Sequence, residues 1–580
     1  MNSRNILLDV LKGFAIIAVI LYHAGVLSSG YLGVEVFLVI SGYLTTKSLF
    51  YSYEKNGYFA FLSKRLARLW PMLLLMSGIV LGVGFFCDLP WLYKLITESV
   101  AASSLFLNNV VQLITAGSYW DGNNATKPLM HTWYVSIIMQ FYLIFPLLFA
   151  LTKRFSKNIE RTFPRVLLLI FVCSLVLYIS PLTSDEQDFY LLPSRLFEFA
   201  AGGLLACTSR EYISQNKKIL LFCWVLFLFM FLGLNIDAVK LSLITMVAVS
   251  SSLLYIITKE KFDFQSRFLK YVAFLGTASY SLYLCHQVIF AYFFKLSSAI
   301  FPDSLYSTVG VILFAFIVGV FFYYVVEKPL GFLSNSMKKR KYINLVCAML
   351  AIVFVLISTK IYFSNGVVCD IPEFEIVKSS PYQYIPKKYN DANYQLDKDF
   401  PSNGKKNILV IGDSFGRDWM NILIESGVNK AMNLSYHMDD DSVAIVRVAK
   451  ADVIFLANDD FFSKEYALVT PFLIGKNFYR IGTKGAIWNP NYLYAFKRKT
   501  KEYYQTKVIP NDKFQIITNA EKRIYGRRFI DLMSYIKDSD GKVPLFSPNK
   551  KFILVDGGHL TREGAKFLAK RINVWRYLPS

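Results

Sequence analysis

The sequence predicts two regions of different class. About ten membrane-spanning helices with an eleventh, linking helix precede an α/β region built on a parallel sheet and lying outside the cytoplasm. Three observations predict this. The 580 residues are 54% hydrophobic and only 18% charged, where soluble chains carry roughly 25% charged residues, and mean hydropathy is +0.39. Apolar stretches of membrane length recur up to about residue 365 and then stop. Beyond them, short apolar runs alternate with amphipathic helical ones, the pattern of parallel βαβ units. This composition excludes a disordered chain, a coiled coil and a disulfide scaffold, and argues against a wholly soluble enzyme.

The apolar stretches lie at about 6–28, 31–51, 69–87, 133–152, 164–181, 195–209, 219–236, 239–258, 270–294, 305–326 and 342–363. Each approaches the roughly 20 residues that cross a bilayer core, 195–209 being the shortest. Residues 91–117 are semi-polar and suit a re-entrant or surface segment. The N-terminal stretch lacks a small-residue cleavage site and is expected to be a retained span. The domains expected are 1–335 (membrane), 336–365 (linking helix), 366–405 (linker) and 406–580 (α/β).

Net charge is +22. On a soluble chain such charge suggests nucleic acid, but its distribution points elsewhere. With a cytoplasmic N-terminus, the inner loops hold Lys64, Arg65, Arg68, Lys153, Arg154, Arg161, Lys217, Lys218, Arg267, Lys328 and Lys338–Lys341, while the outer loops hold few cations and the run Asp185, Glu186, Asp188. The bias is a positive-inside signal and not a nucleic-acid footprint. An odd number of spans then leaves residues 365–580 outside a bacterial inner membrane. None of the seven Cys forms a CxxC or a Cys/His pair with ligand spacing, so no metal site is expected. No Cys follows Asp370, which suits an oxidising compartment.

In the α/β region, Lys406–Gly412 reads as a buried strand ending in a turn, with further strands at Asp452–Ala457 and Val469–Ile474 and helices at Asp418–Glu425 and Thr561–Ile572. Gly412-Asp413-Ser414 closes the first strand, and a Ser there sits near a helix N-terminus whose backbone N–H groups can hold an oxyanion. Asp556-Gly557-Gly558-His559 lies close to the C-terminus. That spacing lets Asp556 orient His559 while His559 deprotonates Ser414. Singly each motif is more often a turn or a helix cap; together in one α/β domain they are far more specific.

These motifs resemble the SGNH/GDSL hydrolases. The resemblance implies an Asn that donates to the oxyanion. Leu456-Ala457-Asn458-Asp459 keeps Asn-Asp without the family's Gly, and Gly475-Lys476-Asn477 keeps Gly-x-Asn. Strand order favours Asn458, with Asn477 as the rival. The second-block Gly, expected after Asn433-Leu434-Ser435, is replaced by Met438. His437 in that stretch is expected to be a surface or loop histidine and not a catalytic one.

Within the spans, Lys12, His23, Glu35, Arg195, Glu198 and His286, with His131 at a span edge, are the main ionisable candidates, each a functional candidate because charge in a bilayer is costly. Three of the five histidines fall at similar depth. Arg195 and Glu198, three apart on a helix, can pair with each other. Lys12 and His23 stand where the acyltransferase-3 family of membrane O-acyltransferases shows Arg or Lys, ten residues, then His. Gly33-Val34-Glu35-Val36-Phe37, Arg65-x-x-Arg68-x-x-Pro71, Pro128-Leu129-Met130-His131-Thr132-Trp133, Gln140-Phe141-Tyr142, Ser279–Leu284 with His286, and Glu327-Lys328-Pro329 continue the resemblance. It departs at Ile138-Met139, where the family usually has Glu-Glu.

The resemblance covers nearly the whole chain, since acyltransferase-3 proteins with a C-terminal SGNH domain form a known architecture. It implies an inner-membrane O-acetyltransferase acting on a cell-surface glycan, with an O-antigen of lipopolysaccharide favoured over capsule or peptidoglycan. Acetyl-CoA is the implied substrate, bound through Lys12, Arg65 and Arg68, with no permanently bound cofactor. His23, Ser414, Asp556 and His559 are the implied catalytic residues, with Glu35, His131, His286, Asn458 and Asn477 in support. The alternative is a transporter or glycan-binding membrane protein whose outer domain is an esterase or inactive. Transporters are often built from repeats, and none is visible.

Overall fold

A computed structural model describes residues 5–115, 126–208, 217–232, 239–259, 266–297, 305–379, 386–458, 466–484, 500, 502–510, 512–555 and 558–579. The chain divides into two compact units, 1–86 with 92–363 and 87–91 with 364–580.

The first unit is helical. Its order is α1 (Ile6–His23), α2 (Gly33–Cys87), α3 (Pro90–Ser104), α4 (Asn108–Thr115), α5 (Thr132–Phe155), α6 (Ile159–Ile179), α7 (Asp185–Tyr190) and α8 (Leu192–Cys207). Then come α9 (Lys217–Leu232), α10 (Val239–Lys259), α11 (Arg267–Thr277), α12 (Ser279–Ser297), α13 (Leu305–Phe322), α14 (Lys328–Leu333) and α15 (Met337–Phe363). Among the described residues, eight helices are long and apolar enough to cross a membrane. Among the described residues every apolar stretch carries helix, but not every one is a single rod. The 270–294 stretch is broken between α11 and α12 at Ala278. The 195–209 stretch forms the 16-residue α8, and the semi-polar 91–117 region forms α3 and α4. The long α2 bends at Gly57, whose φ of 67° favours glycine.

Close helix approach positions the polar residues. A Cβ on Gly42 of α2 would stand 1.9 Å from the Phe199 carbonyl of α8, and one on Gly202 of α8 would stand 1.9 Å from the Val39 carbonyl of α2. Small residues let membrane helices approach backbone to backbone, and this contact brings Glu35 of α2 beside Arg195 of α8.

The second unit centres on a five-stranded parallel sheet. Its strands in chain order are β1 (Asn407–Ile411), β2 (Asn433–His437), β3 (Val453–Leu456), β4 (Phe478–Ile481) and β6 (Phe529–Ile530); β5 (Lys507–Val508) and β7 (Val543–Pro544) pair separately. The sheet order is β2-β1-β3-β4-β6. Helices follow the strands: α16 (Pro386–Asp391) leads in, then α17 (Ser414–Glu425), α18 (Val428–Ala431), α19 (Ser442–Lys450), α20 (Asp512–Tyr525), α21 (Leu532–Ile536) and α22 (Arg562–Arg571). Strand side chains alternate between faces. Ile408 and Val410 pack with Trp419 and Leu423 of α17 and Leu568 of α22, while Leu409 and Ile411 pack with Ala444 and Val448 of α19. The expected strand at 469–474 is instead a 3₁₀ turn, Thr470–Leu473. Pro471 has no N–H to give a central ladder and suits the first turn of a helix. The fourth strand begins later, at Phe478.

His437 ends β2. Its Nδ1 and Nε2 lie 3.0 Å from Asp397 and 3.0 Å from Asp441, and Arg447 donates to Asp397 at 2.6 Å. It is a buried histidine of the edge strand with both ring nitrogens engaged, not a surface or loop histidine. Burial raises the Asp397 pKa, but the hydrogen bonds from His437 and Arg447 outweigh it and hold the carboxyl below its ordinary range. A depressed folded-state pKa stabilises above the unfolded value and loses that stabilisation as pH falls through the folded one. Asp397→Asn is expected to lower the melting temperature of the full chain at pH 7 by about 2–4 °C. The gap should narrow as pH drops below about 4. Melts in detergent across pH check this; a pH-independent gap contradicts it.

Candidate functional site

In the second unit the chain enters the site along β1, whose Ile408–Ile411 are wholly buried. Gly412 follows at φ 152°, where a Cβ would fall 1.6 Å from the Ala457 carbonyl. Only glycine fits there, and the contact holds the end of β1 against the end of β3. Asp413 caps α17, its carboxylate accepting the Phe415 N–H at 2.7 Å. Ser414 is thus the first helical residue. Nε2 of His559 lies 2.7 Å from Ser414 Oγ, so the Nδ1-protonated tautomer of His559 accepts the hydroxyl proton.

His559 sits on the short segment before α22. Thr561 caps that helix, accepting the Gly564 N–H at 2.9 Å and donating to the Phe552 carbonyl at 2.5 Å. The next residue, Leu560, donates its N–H to Asp418 at 3.1 Å. Asp418 stands one turn beyond Ser414 on α17 and is buried. Its carboxylate also accepts from Asn390 at 3.0 Å and pairs with the buried Lys484 at 2.8 Å. The Lys484 ammonium stands 3.5 Å from the ring centroid of Phe415. One carboxylate therefore ties the Ser414 helix, the His559 segment and the loop after β4. Asp556 lies outside the described residues.

β1 is flanked by β2 on one side and β3 on the other, so the order of crossovers reverses between β1 and β3. Open α/β sheets bind ligands outside the carboxyl ends of the strands at such a switch point. Ser414 follows β1 and Asn458 follows β3, one on each side of it. Asn458 is buried, and its side-chain oxygen accepts from Arg480 Nη1. Arg480 is buried too and donates through Nε to Glu521 at 2.7 Å. Arg480 thus holds the Asn458 side chain through its Oδ1. Asn477 is exposed and precedes β4, with its carbonyl accepting the Ile454 N–H at 3.0 Å. It lies at the amino edge of the sheet, opposite Ser414. The structure thus brings Asn458, and not Asn477, to the edge that carries Ser414.

The first unit contains two polar centres and a buried ionic one. His23 ends α1, His131 precedes α5 and His286 lies on α12. The His23 and His286 ring centroids are 5.0 Å apart, and those of His131 and His286 are 5.4 Å apart. Among the described residues no group of His, Cys, Asp and Glu has metal-binding geometry. Lys12, Arg65 and Arg68 line a cavity of about 150 Å³ together with Ser41, Ile138 and Tyr283. Ile138 puts an apolar wall where the family resemblance expects a carboxylate. Arg65 stacks on Phe61 and Tyr142, at 5.1 and 4.9 Å. Tyr283 joins the two centres: it lines the cavity, and its hydroxyl donates to the His131 carbonyl at 2.7 Å. Glu35 is elsewhere. Arg195 Nη1 meets both its oxygens at 3.1 Å and Glu198 at 2.7 Å. The pair expected within α8 is therefore a triad across two helices.

The sequence profile of the acyltransferase-3 family, described as an acyltransferase domain, matches residues 5–328. The chain belongs to this family. It is similar to the peptidoglycan O-acetyltransferase OatA of Listeria monocytogenes, 28% identical over 311 residues covering 49% of each chain. It is also similar to the O-acetyltransferase OatA of Staphylococcus aureus, 29% identical over 307 residues, 49% of this chain and 50% of that one. The chain spans about half the length of these curated relatives. No solved structure matches.

Asp418, Lys484, Arg480 and Glu521 were not legible as site residues in the sequence. The one available signal was Asp418 itself, a carboxylate on the apolar face of an amphipathic helix. Asp418→Ala strands the buried Lys484 charge and is expected to cost about 3–5 kcal/mol of stability. Asp418→Asn combined with Lys484→Met removes both charges and should cost less than Asp418→Ala. Denaturation midpoints of the full chain in detergent check this, and an equal or greater loss in the double variant contradicts the pairing.

Proposed function

We propose that this acyltransferase moves acetyl groups from cytoplasmic acetyl-CoA through the first unit to hydroxyls of a cell-envelope glycan, with the second unit as an SGNH-type transfer domain. The observation that carries the reading is the 2.7 Å contact between Ser414 Oγ and His559 Nε2 at the carboxyl edge of a parallel sheet, in a chain whose other unit is an acyltransferase domain.

The cavity that holds Lys12, Arg65 and Arg68 supports donor binding, because guanidinium forks match phosphate oxygens. Lys12 and His23 stand eleven residues apart on α1, about 16 Å along its axis, so α1 runs from the cationic cavity to the histidine cluster. His23, supported by His131 and His286, acts as base or transient acyl carrier when the thioester is broken. In the second unit Ser414 Oγ attacks the acetyl carbonyl while His559 takes its proton; the bond from the acetyl carbon to its carrier, the CoA sulfur or the His23 imidazole nitrogen, breaks, and the proton passes to that departing atom. Asn458 Nδ2 and the backbone N–H groups at the start of α17 stabilise the oxyanion. A sugar hydroxyl then attacks the seryl ester, His559 removes the sugar proton, and Ser414 is regenerated. Asp556 is the group assigned to orient His559.

Two glycans compete as acceptor. The family resemblance favours an O-antigen, whereas the Listeria relative is named for peptidoglycan, which puts peptidoglycan first for this chain. The test is ester-linked acetate in separated peptidoglycan and lipopolysaccharide or capsule fractions. The strains are the parent, a deletion, and the deletion complemented with Ser414→Ala or His23→Ala. Acetate in one fraction should fall in the deletion and stay at that level with either variant. Full restoration by Ser414→Ala contradicts the role of the second unit. A rise above the parent with Ser414→Ala marks an esterase. No change in any fraction of the deletion contradicts acetyl transfer to a glycan.

A further inference from the structure

The first unit carries a second concavity, away from the cationic cavity and the histidines. It is a groove of about 620 Å³ between the second arm of α2, the turn that joins α13 to α14, and α15. Pro71, Leu75 and Gly78 form one wall, Val326 and Leu330 another, and the α15 face from Tyr342 to Phe354 the third. Among the described residues its lining is apolar apart from the Tyr342 hydroxyl and the Cys347 thiol. Ile343, Cys347 and Ala351 of α15 pack on Ala67 and Leu74 of α2 and close its floor.

Two features give the groove a direction. Tyr342 follows Lys338, Lys339, Arg340 and Lys341 directly on α15, and Lys338 and Lys339 stand one turn before Tyr342 and Ile343 on the same helix face, so one end opens beside cations of this run. None of the four enters an ion pair among the described residues, and the Nε of Arg340 is shielded from water with no hydrogen-bond partner there. From Tyr342 to Phe354 is twelve residues, about 18 Å of helix. One leaflet of a bilayer's hydrocarbon is roughly 15 Å thick. The groove therefore runs from a cationic mouth across the depth of one leaflet. An orientation signal needs the charges but not the groove, and ordinary lipid contact needs apolar surface but not the charges.

We propose that this groove seats one anionic glycerophospholipid, its phosphate held by the Lys338–Lys341 run and one acyl chain lying along α15. Basic pockets between membrane helices recognise anionic head groups in this way. The inference is independent of the acetyl-transfer reading, because none of these residues lines the donor cavity.

The test uses the full chain purified in detergent, exposed to mixed micelles of phosphatidylglycerol or phosphatidylcholine, washed, and assayed for retained lipid by quantitative mass spectrometry. The wild type should retain roughly one phosphatidylglycerol per chain, and about tenfold more of it than of phosphatidylcholine. Leu75→Trp, which fills the groove, should abolish retention with the cations intact. Replacement of Lys338, Lys339, Arg340 and Lys341 by Gln should abolish the preference with the groove intact. The Gln variant changes only side chains at the start of α15, so it serves if the Trp variant does not fold. Equal retention of the two lipids by the wild type overturns the proposal, as does wild-type selectivity in a folded Leu75→Trp or in the Gln variant.

Discussion

The Asp418 carboxylate is the point on which the second unit's site depends. It is buried, and a buried carboxylate needs partners for its charge and its lone pairs. It finds them in Lys484, in the Asn390 amide and in the Leu560 N–H. Each lies on a different part of the chain, so satisfying one charge fixes three segments together. One of them ends in His559. The Ser–His contact is short because the residue after the histidine is bolted to the helix that begins with the serine.

The same logic recurs nearby and in the first unit. Arg480 is buried with Glu521, and its remaining hydrogen bonds hold Asn458 through the amide oxygen. Arg195 is buried with Glu35 and Glu198, which ties α2 to α8 where the glycine contact brings them together. In each case a guanidinium or ammonium is buried against a carboxylate. It holds a neighbour in one orientation, and preorganised groups of this kind are what a transfer site needs.

Much of this was legible in the sequence, and the reasons are local. Gly412 had to end a strand because no side chain fits there, and Ser414 follows it by two residues. His559 stands beside a Thr-capped helix that its own segment encodes. The apolar stretches became helices because length and hydropathy are read residue by residue. What failed was also specific. The 469–474 run has strand-like composition, but Pro471 outweighs it. The 270–294 stretch breaks at Ala278, where composition gives no warning. Buried charges escaped because their partners are distant: Glu35 meets Arg195 across 160 positions, and Lys484 meets Asp418 only once the sheet has formed.

The central claim is a covalent one, that Ser414 carries the acetyl group between donor and glycan. The most direct measurement is mass spectrometry of the Ser414 peptide from the reconstituted full chain, supplied with acetyl-CoA and no glycan acceptor. The account predicts an acetyl ester on Ser414 that is lost when a glycan acceptor is added and absent in His23→Ala. Glycan acetylation that proceeds with Ser414 unmodified, or an ester formed equally well in His23→Ala, would contradict it.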